Sequence, residues 1–163
     1  MKTLVICRHA KSDWSQALPD FDRPLNERGI KDAAALGKRL SGGEFRPDLI
    51  ISSPAIRAKT TAESVAAAIG YELHAIRLEQ SLYDEGPGNE MGIIQAMPEL
   101  VESIMLFGHN PTQETLVRML LNSESSVVMP TGAMAAFEVF GEWRTIQAKK
   151  LTLKWFLIPR MVR

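Results

Sequence analysis

The sequence predicts an α/β fold of three layers, a mostly parallel sheet with helices on both faces, and three observations carry that prediction. Short apolar runs rich in β-branched residues recur as "TLVIC", "DLIISS" and "SIMLF", each continuous enough to be buried on both sides, as parallel strands are. Segments with helical spacing and helix-end signals fall between these runs. No repeat, low-complexity tract or linker divides the 163 residues, which read as one domain over 1–163.

Thr3 to Cys7 reads as the first buried strand. Asn26 is expected to cap a helix reaching Leu40, with Ile30, Ala33, Ala34, Gly37 and Leu40 on its inner face and Gly42-Gly43 as the stop. "DLIISS" gives the second strand. Ser53 is expected to cap the next helix, Pro54 suits its first position, and "AIRAKTTAESVAAAIG" carries it to Gly70. A third strand is expected over Glu72 to Ile76, with His74 as a structural strand residue. A weakly patterned stretch from Glu79 to Gly92 precedes a short helix near Ile93 to Met97. "SIMLF" is the fourth strand, and Thr112 to Leu121 a further helix. Met134 to Phe140 and Lys150 to Leu157 read as an antiparallel pair joined through "GEWRT".

Composition excludes several classes of function. Nineteen basic residues balance nineteen acidic ones, so no net field would hold the chain on nucleic acid or an anionic membrane, and any anion selectivity must be local. The apolar runs fall well short of the roughly 20 residues of a membrane span, and Met1-Lys2-Thr3 leads directly into a strand; a cytoplasmic protein is expected. The single cysteine, Cys7, excludes an internal disulfide framework.

Ligands of open α/β sheets bind outside the carboxyl ends of the strands, so the residues following each strand are the ones to inspect. The first strand ends in Arg8-His9, the second is followed by "SSPAIR" with Arg57 in the first helical turn, and the fourth by "GHNP" with His109. Two arginines and two of the three histidines would converge beside helix N-termini, whose free N–H groups also favour anions. That combination points to a phosphate site. Cys7 reads as a small buried residue; a thiolate phosphatase would need a loop closed by arginine six positions on, where Asp13 stands. Metal-dependent phosphoester hydrolysis fits poorly, since no two histidines lie at ligand spacing and no carboxylate cluster accompanies them, and no cofactor is implied.

"RHA" at 8–10, "SSPAIRAKTT" around Arg57 and "GHNP" around His109, in this order, resemble the histidine phosphatase superfamily, whose fold is phosphoglycerate mutase-like. "DFDRPLNERG", Asp20 to Gly29, is similar to its branch of short SixA-type phosphohistidine phosphatases. Many members carry glycine where Ala10 stands, which is tolerable if the backbone there needs no positive φ. Lys11 and Ser15 replace the glutamate and asparagine of the mutase-like loop and argue against mutase activity.

The resemblance implies that His9, as neutral imidazole, attacks phosphorus and forms a phosphohistidine that water then hydrolyses. Arg8, Arg57 and a protonated His109 would bind the non-bridging oxygens, and Ser15 is a further candidate donor to substrate. A general acid is harder to find; Glu79, Asp84 and Glu85 are the candidates. A phosphohistidine substrate removes much of that need, because imidazole is a far less basic leaving group than an alkoxide. The short chain leaves no room for a large cap, so an open pocket could admit a phosphorylated side chain of a protein, with Trp14 and Phe21 either on the sheet edge or facing the partner. The alternatives are a small-molecule phosphomonoesterase of the same superfamily and a phosphate-binding module without turnover.

Overall fold

A computed structural model describes residues 1–122 and 126–163. One sheet of six strands organises the chain in the order β3-β2-β4-β1-β5-β6. β1 (Lys2–Arg8), β2 (Leu49–Ser52), β3 (Arg77–Leu78) and β4 (Ser103–Gly108) run parallel, and β5 (Met134–Val139) and β6 (Thr152–Leu157) add an antiparallel edge. Alternation along the strands sends side chains to two cores, because successive Cβ atoms point to opposite faces. Leu4, Ile6, Ile51, Ile104 and Leu106 join the core that also holds Ile94, Leu116 and Trp143; Val5, Cys7, Ile50, Met105 and Phe107 join the core that holds Leu36, Leu40 and Val65. The sheet is therefore the middle of three layers, with α1 (Glu27–Ser41) and α2 (Ile56–Ala68) on one face and α4 (Pro87–Gln95) and α5 (Thr112–Leu120) on the other. A one-turn helix α3 (Ser81–Asp84) precedes α4. Among the described residues, no helix is long and apolar enough to cross a membrane.

Local chemistry explains the elements, including those that depart from expectation. Asn26 caps α1 by accepting a hydrogen bond from the Gly29 N–H at 2.8 Å. The inner face of α1 is Gly29, Asp32, Ala33, Leu36, Gly37 and Leu40; Ile30, at 57% exposure, and Ala34 lie outside it. The face is rotated from the purely apolar reading because Asp32 turns inward, where the Arg163 guanidinium donates to both of its oxygens at 3.0 and 3.2 Å.

α2 begins at Ile56 and has no side-chain cap, so Ser53 and Pro54 lie before the helix rather than at its start. The strand expected over Glu72 to Ile76 does not form there; β3 is the two residues just beyond it, Arg77–Leu78. The Tyr71 hydroxyl accepts from the Ile50 N–H (3.3 Å) and donates to the Ala75 carbonyl (3.1 Å), and residues Leu73–Ala75 form a 3-10 turn beside it. His74, expected in a strand, is an exposed turn residue 3.7 Å from Glu72. The helix expected near Ile93 instead starts at Pro87; Gly88 and Gly92 dilute its apolar pattern, and one of its inward positions is a glutamate, Glu90.

Strand register does the functional positioning. Arg8 lies opposite Gly108, and Ser52 opposite Phe107, so β1, β2 and β4 end at one level. The ladder continues one residue further, with His9 N–H donating to Gly108 O (3.1 Å) and Ser53 N–H to Phe107 O (2.9 Å). His9, Ser53 and His109 consequently emerge side by side.

Candidate active site

The residues marked at the strand ends come together. His9 and His109 stand with ring centroids 5.3 Å apart, although 100 positions separate them in the chain. The His9 backbone is held on both sides, by Gly108 O and by the Gly132 N–H, which donates to His9 O at 2.8 Å. Ala10 next to it donates to the Thr61 hydroxyl (3.0 Å), which itself donates to Arg57 O (2.7 Å), so the first loop is tied directly to α2. Ala10 has no positive φ, so an alanine sits there without backbone strain. The loop is closed from the α1 side at Gly29, where a Cβ would collide with the Lys11 carbonyl.

Each ring nitrogen has a defined partner or a defined lack of one. His9 Nδ1 lies 2.6 Å from Ala10 O, an acceptor only, so Nδ1 carries the proton and Nε2 presents a lone pair. His109 Nε2 meets the Ser53 hydroxyl at 2.8 Å, while its Nδ1 is buried without a partner. Arg57, 5% exposed, donates Nη1–H to Asp20 O (2.6 Å) and Nη2–H to Asp20 Oδ2 (2.9 Å); its Nε is buried and unpaired. Arg8 donates Nη1–H to Met129 O at 2.9 Å, and its Nε too is buried and unpaired. Buried polar atoms in native proteins almost always find partners. Among the described residues four buried side-chain polar atoms have none, and three of them belong to Arg8, Arg57 and His109.

The surroundings decide the protonation states. Burial pushes His9 down to about 3, reinforced by His109, Arg57 and Arg8 against the opposing hydrogen bond of Ala10 O. The imidazole is thus neutral at neutral pH, as a nucleophile must be. His109 is also pushed down, to about 4, first by burial and then by Arg57, with Asp20 opposing. In these surroundings, with no anion against it, His109 is neutral as well. A dianion placed against Arg8, Arg57 and His109 would reverse the balance, because an adjacent negative charge favours the protonated ring.

A family model described as the histidine phosphatase superfamily (branch 1) matches residues 4–122. The chain belongs to this superfamily. An uncharacterised protein of Mycobacterium tuberculosis, Rv1276c, is 30% identical over 94% of this chain and 99% of its own length. A chloroplastic protein of Arabidopsis thaliana, At3g52155, also uncharacterised, is 33% identical over 86% of this chain and 67% of its own. Among solved structures, a protein of Agrobacterium tumefaciens provisionally named phosphohistidine phosphatase SixA superposes with a TM-score of 0.81 at 29% identity, covering 97% of this chain and 98% of that one. The protein histidine phosphatase SixA complexed with tungstate gives 0.86 at 23% identity over 99% of both chains, a likeness of fold.

Within this histidine phosphatase fold, other expected residues stay outside the cluster. Ser15 is exposed, and its N–H donates to Asp13 Oδ1 at 2.7 Å. Glu79 pairs with Arg77 at 2.8 Å, Asp84 accepts from Gln80 at 3.1 Å, and Glu85 is exposed, so none of the three carboxylates expected as an acid touches the four central residues. The carboxylate at the site is Asp20. Besides Arg57 it accepts from Tyr83 Oη (2.8 Å) and from Arg23 Nε and Nη2 (3.2 and 3.1 Å). Tyr83 stands edge-on to His109 with centroids 5.5 Å apart, and Phe21 packs edge-on against Tyr83 at 5.0 Å. Trp14 stays 76% exposed with the Arg23 guanidinium 3.5 Å from its ring centroid. Asp20 and Arg23 lie inside "DFDRP", where their spacing of three residues is the signal the sequence offers; Tyr83 lies in the weakly patterned segment, which offers none.

Proposed function

We propose that the protein is a metal-independent phosphatase that transfers a phosphoryl group from phosphohistidine of a protein to His9 Nε2 and then to water, in the cytoplasm. The observation that carries this reading is the pairing of a nucleophile with unspent donors: a neutral His9 with Nε2 free, beside Arg8, Arg57 and His109, each with a buried nitrogen lacking a partner. A binder of phosphate would need the cations but has no use for the imidazole lone pair. Three donors around phosphorus stabilise the charge that spreads over the non-bridging oxygens during transfer. Covalent capture on His9 divides one displacement into two easier ones.

The protein substrate rests on leaving-group chemistry. Asp20, the carboxyl group next to Arg57, is opposed in ionisation by partial burial, yet the bonds from Tyr83, Arg57 and Arg23 hold it down at about 2. A group that gives up its proton so readily is no acid for an alkoxide, whereas a phosphohistidine ring already protonated at its remote nitrogen leaves as neutral imidazole without one. The SixA names of two structural relatives agree with this choice. Incubation with a phosphohistidine-bearing phosphotransfer protein and, separately, with a sugar phosphate tests it. Release of phosphate from the protein at a far higher kcat/KM is expected; preference for the sugar phosphate would replace this reading with a small-molecule phosphomonoesterase.

A further inference from the structure

We propose that Ser53 is a positioning residue that acts through His109: its buried hydroxyl donates to Nε2 and so fixes the ring proton on Nδ1, the nitrogen left unspent for a phosphoryl oxygen. The proposal rests on the phosphoryl-transfer reading above and deepens it. Place comes first. Ser53 is fully buried, and its backbone N–H continues the sheet ladder onto Phe107 O, two residues before His109. Backbone register therefore sets the hydroxyl 2.8 Å from the ring. The helix-capping role expected of Ser53 is not taken up, because α2 begins three residues later.

Hydrogen-bond accounting comes second. A hydroxyl has one proton to give and two lone pairs, and a neutral imidazole has one N–H and one lone pair. Among the described residues the Ser53 hydroxyl has two partners, the Ala55 N–H, which donates to it at 3.2 Å, and His109 Nε2. If the ring carried its proton on Nε2, that N–H would donate to Ser53 and two buried groups would go unmet, the hydroxyl proton and the Nδ1 lone pair. With the proton on Nδ1, the hydroxyl donates to Nε2 and one group is unmet, the Nδ1–H. Unmet buried polar groups are costly, so the second arrangement prevails.

The consequence is a matched set of donors. Nδ1–H joins the unpaired Nε–H groups of Arg8 and Arg57, so three donors and no lone pair await the non-bridging oxygens. The other tautomer would offer a lone pair in place of the third donor. A second proton, drawn on by a bound dianion, goes to Nε2, where Ser53 Oγ turns from donor to acceptor and the ring keeps its place.

Long-range proton–nitrogen correlation NMR on isotope-labelled protein near neutral pH reads the tautomer directly, with His109→Asn assigning the ring. The proton is expected on Nδ1 of His109 in the wild type; a proton on Nε2, or a signal averaged between the two, would overturn the proposal. No substrate enters this measurement, so it stands apart from the phosphatase reading. Ser53→Ala is expected to lose the Nδ1 preference. It should also lower tungstate affinity, and kcat/KM on a phosphohistidine-bearing phosphotransfer protein, by on the order of 10-fold, the worth of one hydrogen bond and less than the roughly 10²–10³ of a deleted donor. In the His109→Asn background the same substitution is expected to cost nothing further, because Ser53 acts through that ring. Equal losses in both backgrounds would overturn the proposal and reduce Ser53 to packing at the end of β2. A wild type that binds tungstate yet releases phosphate from neither the phosphotransfer protein nor a sugar phosphate would overturn the phosphatase reading instead, while the tautomer and the tungstate comparison still decide the role of Ser53.

Discussion

Glu90→Gln is expected to stabilise the protein at neutral pH and to have little effect near pH 4. Glu90 is fully buried on α4, beneath the turn that delivers His109. The Gln113 amide links the two: its nitrogen donates to Glu90 Oε2 at 2.8 Å and its oxygen accepts from the Gly108 N–H at 3.0 Å. A side chain at Gly108 would collide with this amide, which explains the glycine before His109. Burial pushes the Glu90 carboxyl from 4.5 up to about 8, with the Gln113 bond opposing. The folded-state pKa is therefore raised: above 4.5 the unfolded chain releases this proton while the folded protein keeps it, so stability is lost as pH rises toward 8. At about 1.4 kcal/mol per pH unit, the whole window is worth about 5 kcal/mol, of which about 3 is lost by pH 7. Glutamine keeps the shape and the acceptor oxygen without the ionisation. Urea unfolding of both proteins, followed by circular dichroism at several pH values from about 4 to 8, reads the difference directly. A gap that widens with pH to a few kcal/mol agrees; a gap independent of pH would refute the assignment of a buried neutral acid under the site.

Arg57→Lys should lower kcat/KM on a phosphohistidine substrate by on the order of 10²–10³ with the circular dichroism spectrum unchanged, because lysine cannot present the guanidinium fork to Asp20 and to phosphate together. Tungstate binding near neutrality should draw a proton from the buffer, since His109 lies at about 4 beforehand and a dianion raises it. Calorimetry in buffers of different ionisation enthalpy measures that uptake, and the His109→Asn variant should lose most of it. Affinity for the dianion should accordingly fall as pH rises.

Legibility in the sequence followed the range of the physics involved. β1, β2 and β4 were readable because strands buried on both faces need unbroken apolar runs, and the residues after them were marked by the same topology. Arg8, His9, Arg57 and His109 could be named because each sits at a strand end or in the first turn beyond one. β3 was misjudged because its extent depends on Tyr71 bonding across to Ile50, a contact with no local pattern. Asp20 was passed over for a different reason: its role is set by three partners, Arg23 three residues away and Arg57 and Tyr83 far along the chain. Glu90 was hidden because a buried carboxyl at a helix position reads as a surface residue. Ser15 reads as a donor because it is a hydroxyl in the loop after β1, whereas in the structure it is exposed, with its backbone N–H on Asp13.

The most direct test is to trap the enzyme during turnover of a labelled phosphohistidine protein and locate the label. The account predicts a phosphoryl group on His9, lost in acid and retained in alkali, absent in His9→Ala, and formed in the presence of a metal chelator. Label on another residue, or turnover persisting in the folded His9→Ala protein, would contradict it.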